Sequence, residues 1–274
     1  INDLLPFTIT NPYYPNTPIK LKHLVTHTSG ISDNLIDSKK IFFFKNPLEN
    51  GSEFDRKTKK QIQKALKNEK TTLKDMLSNI FIPNGEFYKK KNFNKHAPGE
   101  HFEYSNTASA LAALIIEYKT GVSYDKYIKN NVLDPLGMNS TSFNTNELQD
   151  SVRAILYTGD DNLRLTKYFN LLYPIGGMYS SNADMTKYLS EMIKGFNGRG
   201  TILKNSLFKT MFSKQLSAIP TGMKPDEINQ GVFWVFNDDN TLGHTGGGLG
   251  ASAFMFFDSS TGLGKLFIAN CELT

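Results

Sequence analysis

The spacing of apolar residues changes near residue 230, and this change constrains the fold more than any other feature of the sequence. Before it, apolar residues recur at the three- and four-residue intervals of amphipathic helices. After it, β-branched and aromatic runs alternate with turn residues, which predicts an antiparallel meander. The runs are GVFWVF, TLGHTG, ASAFMFFD and LGKLFIAN, separated by NDDN, GGLG and SSTG. We therefore expect an α/β protein of the α+β type, with a mainly helical region, 17–215, packed on an antiparallel sheet, 230–274, in a single domain, 1–274.

Helices are predicted where an apolar stripe is bounded by cap residues and breakers. The clearest covers 107–120, and Gly121 after it suits the left-handed position that follows a helix. Its apolar face consists of Ala108, Leu111, Ala112, Ile115 and Tyr118. One further helix is predicted within 17–30, with Thr17 and Pro18 at its start, and a solvated one at 55–70. Others are predicted at 71–81, from a Ser123 cap to Pro135, and at 180–195 and 205–214, where each of the last two starts on Ser or Asn caps.

The positive charge of the chain would suit a nucleic-acid partner, but its distribution argues against one. The net charge is +5, but the lysines are scattered, and the run Lys89–Lys91 is accompanied by no nucleic-acid-binding module. The longest apolar runs, IFFF and ALAALII, are far shorter than the roughly 20 residues of a transmembrane helix. The single cysteine, Cys271, cannot form an internal disulfide. We expect no nucleic-acid partner and no transmembrane segment.

A tyrosine and an asparagine precede the clearest helix, in the stretch EYSNT. Residues two apart in an extended segment point to the same side, so Tyr104 and Asn106 can face one pocket while Ser105 faces away. A phenol can relay a proton, and a carboxamide can both donate and accept hydrogen bonds, which suits both groups to handling a carbonyl. The alternative is structural, with Tyr104 packed under the helix and Asn106 as its N-cap.

A second candidate is the glycine-rich stretch LGHTGGGLG at 242–250. Three consecutive glycines after His244 and Thr245 let a substrate approach the backbone and leave N–H groups available to an oxyanion. A glycine-rich hairpin turn is the structural alternative. A phosphate-binding loop is a further alternative, although no helix signal follows the glycines as such a loop requires.

Five motifs in order resemble those of the β-lactamase-related serine hydrolases. They are LVTHTSGIS at 25–32, YSN at 104–106, PLGM at 135–138, YPIGGMYSSNADMTKYL at 173–189 and GHTGG at 243–247. This family includes class C β-lactamases, D-Ala-D-Ala peptidases and esterases that share the penicillin-recognising fold. The resemblance runs from about Asp3 to Asn270 and implies hydrolysis of a small ester, amide or peptide through a serine acyl-enzyme, without a cofactor.

The resemblance also implies roles for individual residues. Tyr104 would relay a proton, Asn106 would orient the substrate, and the Gly247 N–H would bind the oxyanion. The residues His244, Thr245 and Gly246 would line the substrate cleft. A lysine often stands at the position of His244 in the family, and an imidazole lacks the permanent charge of a lysine, which favours an esterase, amidase or peptidase over a dedicated β-lactamase. The family also suggests a bacterial periplasm or cell envelope.

The family's nucleophile motif, Ser-x-x-Lys, does not occur before THTSG in these 274 residues. Two other matches, Ser123–Lys126 and Ser206–Lys209, are expected to lie on helices outside the cleft. We therefore expect a piece of a longer hydrolase that lacks the first strands and the nucleophile helix, so that the chain alone forms no acyl-enzyme. The alternative is a non-catalytic binding protein on the same fold.

A zinc hydrolase is the alternative from another class. His23 and His27 have the four-residue spacing of a metal-binding helix, and His96 and His101 follow. The glutamate that would follow the first histidine is replaced by Leu24, and the resemblance gives this stretch a structural role. We therefore predict no metal.

Overall fold

The computed structural model describes residues 1–34, 41–44, 63, 69, 71–144, 148, 153–157, 164–165 and 168–272. The helix predicted at 55–70 lies outside this part of the chain, except for residues 63 and 69. The α-helices are α1 (Leu21–Val25), α2 (Leu73–Phe81), α3 (Asn106–Thr120), α4 (Tyr124–Ile128), α5 (Asn182–Phe196) and α6 (Asn205–Met211). Shorter helical turns cover Asn2–Leu4, Lys90–Asn92 and Tyr173–Ile175, and a π-helical turn, Lys129–Leu133, continues α4.

Several helix starts differ from the prediction. The first helix begins at Leu21 with Lys20 as its N-cap, and not at Thr17 and Pro18. Lys20 is extended, with φ of −102° and ψ of 157°, so the helix cannot include the residues before it.

Two predicted caps also contribute less than expected. Ser123 occupies the N-cap of α4 but makes no side-chain capping hydrogen bond, and Lys204 rather than a serine or asparagine precedes α6. By contrast, Gly121 follows α3 in the predicted left-handed conformation, with φ of 70°.

The sheet is an antiparallel meander, as predicted. Its strands are β3 (Glu227–Gln230), β4 (Val235–Asn237), β5 (Thr241–Gly248), β6 (Ala251–Asp258) and β7 (Gly264–Ala269), in that spatial order. The strand expected in GVFWVF is shorter than the run, because Phe233 takes a left-handed turn with φ of 59° before β4 begins. A separate antiparallel pair joins β1 (Phe42–Phe44) to β2 (Tyr168–Asn170).

Helix α3 lies at the centre of the first of two apolar clusters. The stripe residues Ala108 and Leu111 are fully buried, but Ala110, Ala113 and Leu114 are buried too, so the helix is enclosed on more sides than a stripe predicts. Helices α1 and α2 pack against it. Burial of each of these leucines stabilises the fold by about 1.5–3 kcal/mol. Because the buried residues hold α3 in the core, the residues at its start have a fixed position.

The second cluster joins α5 and α6 to the sheet. Its buried members are Leu189, Met192, Phe208, Phe212, Trp234, Leu242 and Phe257. Helices and antiparallel strands thus form one α+β architecture of the predicted class. The single domain, 1–274, stays a prediction, and so does its division into a mainly helical region, 17–215, and a strand region, 230–274.

In the described part of the chain, no helix is both long enough and apolar enough to span a membrane.

Candidate functional site

The Tyr104–Asn106 segment enters α3 in the way that a capped helix requires. Ser105 is extended, with φ of −136° and ψ of 110°, and its hydroxyl accepts a hydrogen bond from Ala108 N at 3.0 Å. The interpretation of Asn106 as the N-cap is therefore wrong, because Ser105 takes that position and Asn106 is the first helical residue. Ser105 is fully buried whereas Tyr104 is 44% exposed, so the two side chains point apart as predicted.

Tyr104 and Asn106 do face one another. The Tyr104 hydroxyl lies 3.4 Å from Oδ1 of Asn106, at the long end of hydrogen-bond distances. Burial, followed by the negative charge of Asp33, raises the pKa of the Tyr104 phenol above its ordinary value. The phenol is therefore protonated at neutral pH and can act as a proton donor.

Strand β5 brings His244 to the same place. The rings of Tyr104 and His244 have centroids 5.6 Å apart at an angle of 46°. His244 shares a sheet face with Leu242, whose side chain belongs to the buried cluster of α5 and α6. The tyrosine thus meets the strand at His244, while Thr245, Gly246 and Gly247 continue along it and are exposed.

The edge of β5 beyond Gly243 is open. Strand β4 pairs with β5 only at Leu242 and Gly243, and no other strand of the described ranges pairs with this edge. The two-residue loop between Gly248 and Ala251 closes the β5–β6 hairpin with a hydrogen-bonded pair. Because hydrogen-bonded and non-hydrogen-bonded pairs alternate, the backbone N–H and C=O groups of Thr245 and Gly247 point away from β6, toward the open edge.

Gly247 leaves its surroundings clear. Among the described residues, no atom lies within 4 Å of a Cβ atom built on Gly247, whereas one built on Gly243 lies 2.2 Å from the Met255 carbonyl. The Gly247 N–H is thus an outward-pointing donor beside free space. This is the local geometry that an oxyanion-binding amide needs.

Sequence reasoning missed the role of His27, which supports Tyr104 from beneath. Its ring centroid is 4.4 Å from that of Tyr104, and its Nδ1 accepts a hydrogen bond from Ser105 N at 3.2 Å. Burial, followed by the charge of His244, lowers the pKa of His27 to about 3, so the imidazole is neutral. The motif THTSG contained this residue, but only the fold shows that it lies under the tyrosine.

The zinc interpretation loses its geometric basis. Helix α1 ends at Val25, and His27 has a left-handed backbone with φ of 54°, so His23 and His27 do not share a helix face. The rings of His96 and His101 stack, with their centroids 4.0 Å apart. In this arrangement the ring nitrogens do not point toward a common metal position. Within the described residues, no group of three or more His, Cys, Asp or Glu side chains is placed to hold a metal ion.

Sequence reasoning also missed Asp33. Its carboxylate, which is half-buried, accepts hydrogen bonds from the backbone or side chains of Ser105, Asn106 and Thr107. Asp33 follows THTSGIS closely, but no local pattern connects it to a segment more than 70 residues away. Only the packing of α1 against α3 brings the two together.

Both Ser-x-x-Lys matches lie at exposed positions, one at the start of α4 and one on α6. Ser123 and Lys126 are exposed beyond the C-terminal end of α3, which at 15 residues is about 22 Å long, so they are separated from Asn106 by the length of the helix. Ser206 and Lys209 are exposed on α6. This placement agrees with the expectation that neither pair belongs to the cleft.

A cavity of about 800 Å³ lies near the hairpin end of β5. Its wall includes Arg153, Tyr168, Tyr179, Ala251 and Ile268, together with the first residues of α5. Tyr168 closes one side by donating a hydrogen bond to the Leu249 carbonyl at 2.7 Å. None of the six predicted site residues is among the described residues of its wall, so the cavity and the Tyr104 cluster are separate.

The sequence model of the Beta-lactamase family matches residues 2–273. Protein flp of Staphylococcus aureus is 30% identical over 178 residues, which are 64% of this chain and 34% of that protein. Penicillin-binding protein 4* of Bacillus subtilis is 27% identical over 264 residues, 89% of this chain and 49% of that protein. The chain thus spans between about a third and a half of the length of these relatives.

Solved structures share the fold at lower identity. A D-amino acid amidase from Ochrobactrum anthropi SV3, complexed with L-phenylalanine amide, has a TM-score of 0.64 and 22% identity over 96% of this chain and 69% of that one. A penicillin-binding protein from Bacillus halodurans has a TM-score of 0.64 and 20% identity over 97% of this chain and 71% of that one. With a family match over nearly its whole length, the chain belongs to the Beta-lactamase family.

Proposed function

We propose that this polypeptide carries the proton-relay and substrate-binding groups of a serine hydrolase that cleaves an ester, amide or peptide through an acyl-enzyme. The observation that carries the proposal is the meeting of Tyr104, Asn106 and His244 at the open edge of β5. The Tyr104 hydroxyl is 3.4 Å from Asn106 Oδ1, and the Tyr104 ring lies 5.6 Å from that of His244.

The proposed role of Tyr104 is to exchange protons during acyl transfer. As the serine oxygen bonds to the carbonyl carbon, the serine proton would move onto the phenol oxygen while the phenol proton moves onto the leaving-group atom. The bond between that atom and the acyl carbon then breaks, which leaves the acyl-enzyme and a protonated phenol. The raised pKa of Tyr104 favours the protonated phenol that this exchange requires. Asn106 would orient the phenol and the substrate relative to each other.

The proposed role of the β5 edge is to bind the acyl group. The outward N–H of Gly247 would donate to the carbonyl oxygen as it becomes an oxyanion, and the second donor would be the backbone N–H of the nucleophile. Thr245 offers an N–H along the same edge, which can donate to an extended peptide or amide substrate, while its C=O already lies 2.5 Å from Nδ1 of His244. Thr245 and Gly246 would thus contact the substrate beside the reacting bond.

His244 and the relatives support the proposed substrate class. An imidazole at the head of the strand gives no permanent positive charge to hold a carboxylate, which favours an esterase, amidase or peptidase over a dedicated β-lactamase. The likeness to a D-amino acid amidase supports amides within this range. The location, a bacterial periplasm or cell envelope, stays a prediction from the resemblance.

The nucleophilic serine and its lysine are not assigned to any of the 274 residues. No Ser-x-x-Lys occurs ahead of Thr26. We therefore propose that these residues alone form no acyl-enzyme.

Covalent labelling tests this proposal. A fluorophosphonate or a fluorescent penicillin should label the complete gene product and leave the isolated 274-residue chain unlabelled. Labelling of the isolated chain would show that it contains a nucleophile of its own. A complete product that takes no label but binds amides or peptides in calorimetry would support the non-catalytic binding protein instead.

The substrate preference has a separate test. The complete product should hydrolyse short-chain p-nitrophenyl esters or amino acid amides faster than nitrocefin. Much faster cleavage of nitrocefin would reverse the preference inferred from His244.

A further inference from the structure

Asp33 binds the start of α3 through both carboxylate oxygens. Oδ1 accepts from the Ser105 hydroxyl at 3.1 Å and from the N and Oγ1 of Thr107, each at 2.8 Å. Oδ2 accepts from the backbone N of Asn106 at 2.8 Å and from its side-chain Nδ2 at 2.9 Å. Five donors from three consecutive residues thus converge on one side chain that lies more than 70 residues earlier in the chain.

These contacts exceed what capping requires. The first turn of a helix leaves backbone N–H groups without intrahelical partners, and Ser105 already satisfies that of Ala108. Asp33 satisfies those of Asn106 and Thr107, and His27 satisfies that of Ser105. Three bonds to Asp33 serve no backbone group: those from the hydroxyls of Ser105 and Thr107 and that from Asn106 Nδ2. Of these, only the bond from Nδ2 involves a side chain that also contacts Tyr104.

The bond to Nδ2 decides which way the Asn106 amide points. An ionised carboxylate only accepts hydrogen bonds, so the amide group that faces Asp33 must be the NH₂. Rotating the amide by half a turn would place its oxygen against Oδ2, and two acceptors would repel each other. With Nδ2 held by Asp33, Oδ1 is the atom left to face the Tyr104 hydroxyl.

We propose that Asp33 is a positioning residue, which fixes the Asn106 amide so that its oxygen, and not its nitrogen, faces Tyr104 and the cleft. This inference rests on the proposed function of Tyr104 and Asn106. Asp33 itself touches neither the leaving group nor the carbonyl in this scheme. It acts through Asn106, which presents an acceptor to the phenol and to any donor on the substrate or on the nucleophile's lysine.

The first test observes the amide directly in the 274-residue chain. In ¹⁵N-edited NMR, the Asn106 side-chain NH₂ signal is assigned by its disappearance in Asn106→Ala. In the unmodified chain, one of its protons should exchange slowly with solvent because Asp33 accepts it. An Asn106 NH₂ that exchanges as fast as those of exposed asparagines would overturn the inference, and this measurement needs no Asp33 variant to fold.

The second test uses Asp33→Asn in the complete gene product. A misplaced reacting group typically costs about 100-fold in rate, so kcat should fall by about that factor while KM changes little, since the groups proposed to bind substrate on β5 are untouched. In the 274-residue chain, the same substitution should shift the Asn106 NH₂ signal. If kcat stays within about threefold of the unmodified enzyme, or if the NH₂ signal is unchanged, Asp33 does not position Asn106.

The matched control is Asp184→Asn. Asp184 is a buried carboxylate in the first turn of α5 that accepts from Ser140 N at 2.7 Å and from Thr141 Oγ1 at 3.0 Å. It contacts neither Tyr104 nor Asn106, so this variant should leave kcat and the Asn106 signal unchanged. An equal loss of kcat in both variants would indicate general destabilisation and would overturn the inference.

The two levels of inference fail in different ways. If the unmodified complete product neither hydrolyses esters or amides nor takes a covalent label, the proposed function fails. The NMR measurement would still decide whether Asp33 sets the orientation of Asn106.

Discussion

Helices α3 and α5 are both 15 residues long and begin in the same way, with a serine whose hydroxyl caps the third residue of the helix. Ser105 accepts from Ala108 N at 3.0 Å, and Ser181 accepts from Asp184 N at 3.2 Å. Both helix starts also engage a carboxylate. At α3 the carboxylate comes from the distant Asp33, whereas at α5 it belongs to the helix itself and reaches outward to the loop at Ser140.

The difference separates two uses of the same local structure. A carboxylate within the helix anchors a neighbouring loop to it, and the surroundings adjust to the helix. A carboxylate from elsewhere in the chain fixes the helix start relative to the rest of the fold. The start of α3, near His244 of β5, is held by a carboxylate from elsewhere in the chain. The start of α5, which borders the cavity, carries its own carboxylate.

The largest expected effect concerns Tyr104, the proposed proton relay beside the start of α3. Tyr104→Phe should lower kcat/KM of the complete gene product by about 100- to 10,000-fold, because it removes the proton relay. Thermal unfolding should change little, since the side chain is 44% exposed. Steady-state kinetics with a p-nitrophenyl ester give the ratio.

The control for this prediction is Tyr118→Phe, at the opposite end of the same helix. It should retain nearly full activity. If Tyr104→Phe is as active as Tyr118→Phe, Tyr104 is not the proton relay. The difference between the starts of α3 and α5 would then have no consequence for catalysis.

The next effect concerns the strand that α3 faces. Gly247→Pro removes an N–H that points to the open edge, so it should lower kcat by about 100- to 1,000-fold without breaking the β5–β6 ladder. Gly246→Pro removes an N–H that points to β6 and should instead lower the melting temperature. Circular dichroism and kinetics on the pair distinguish the two outcomes, and the reverse pattern would mean that the backbone of β5 is oriented the other way.

A smaller effect should appear in the dependence of stability on pH. The pKa of His27 is lowered to about 3 in the folded protein by burial and by the charge of His244, while an unfolded histidine titrates near 6.5. Between these values the unfolded chain binds more protons, so the free energy of unfolding falls as the pH falls below 6.5. From pH 6.5 to pH 5 this loss is about 2 kcal/mol.

Urea denaturation at both pH values measures this loss. The measured loss should be smaller by about 2 kcal/mol in His27→Gln. The remainder comes from His23 and His101, whose pKa values burial also lowers. The loss should be nearly unchanged in His96→Gln, because His96 is exposed. An identical dependence on pH in His27→Gln and the unmodified chain would show that the imidazole under Tyr104 is not held neutral.

The smallest effects directly compare the two caps. Ser105→Ala and Ser181→Ala should each lower the free energy of unfolding by about 1 kcal/mol. Only Ser105→Ala should also lower kcat, since its hydroxyl donates to Asp33 as well as capping the helix. Equal kinetics in the two variants would mean that Asp33 does not need the Ser105 hydroxyl.

The sequence predicts those parts of the structure that local rules determine. The body of α3, its left-handed Gly121 and the β5–β6–β7 meander follow from breakers and apolar spacing, whereas the cap of α3 is Ser105 and not Asn106. The pairing of Tyr104 with Asn106 also follows, because it depends on two neighbouring residues. The convergence of His244 with them needed the family resemblance, since β5 lies more than 130 residues later.

The features that escaped prediction have identifiable physical reasons. Strand β3 has the sequence EINQ, and its buried residues Asn229 and Gln230 give no apolar alternation. Phe233 adopts a left-handed conformation that bulky side chains rarely take, which shortens the strand expected in GVFWVF. Asp33 and His27 act through contacts across more than 70 residues, and such contacts are set by the packing of whole helices.

The open edge of β5 has a consequence for the solubility of the protein. An unpaired strand edge is a template on which other chains can polymerise, and many proteins protect such edges with charges or bulges. Here Gly246, Gly247 and Gly248 supply no side chains for a foreign strand to pack against, and glycine disfavours extended pairing. The same residues that leave room for a substrate therefore also make this edge a poor seed for aggregation.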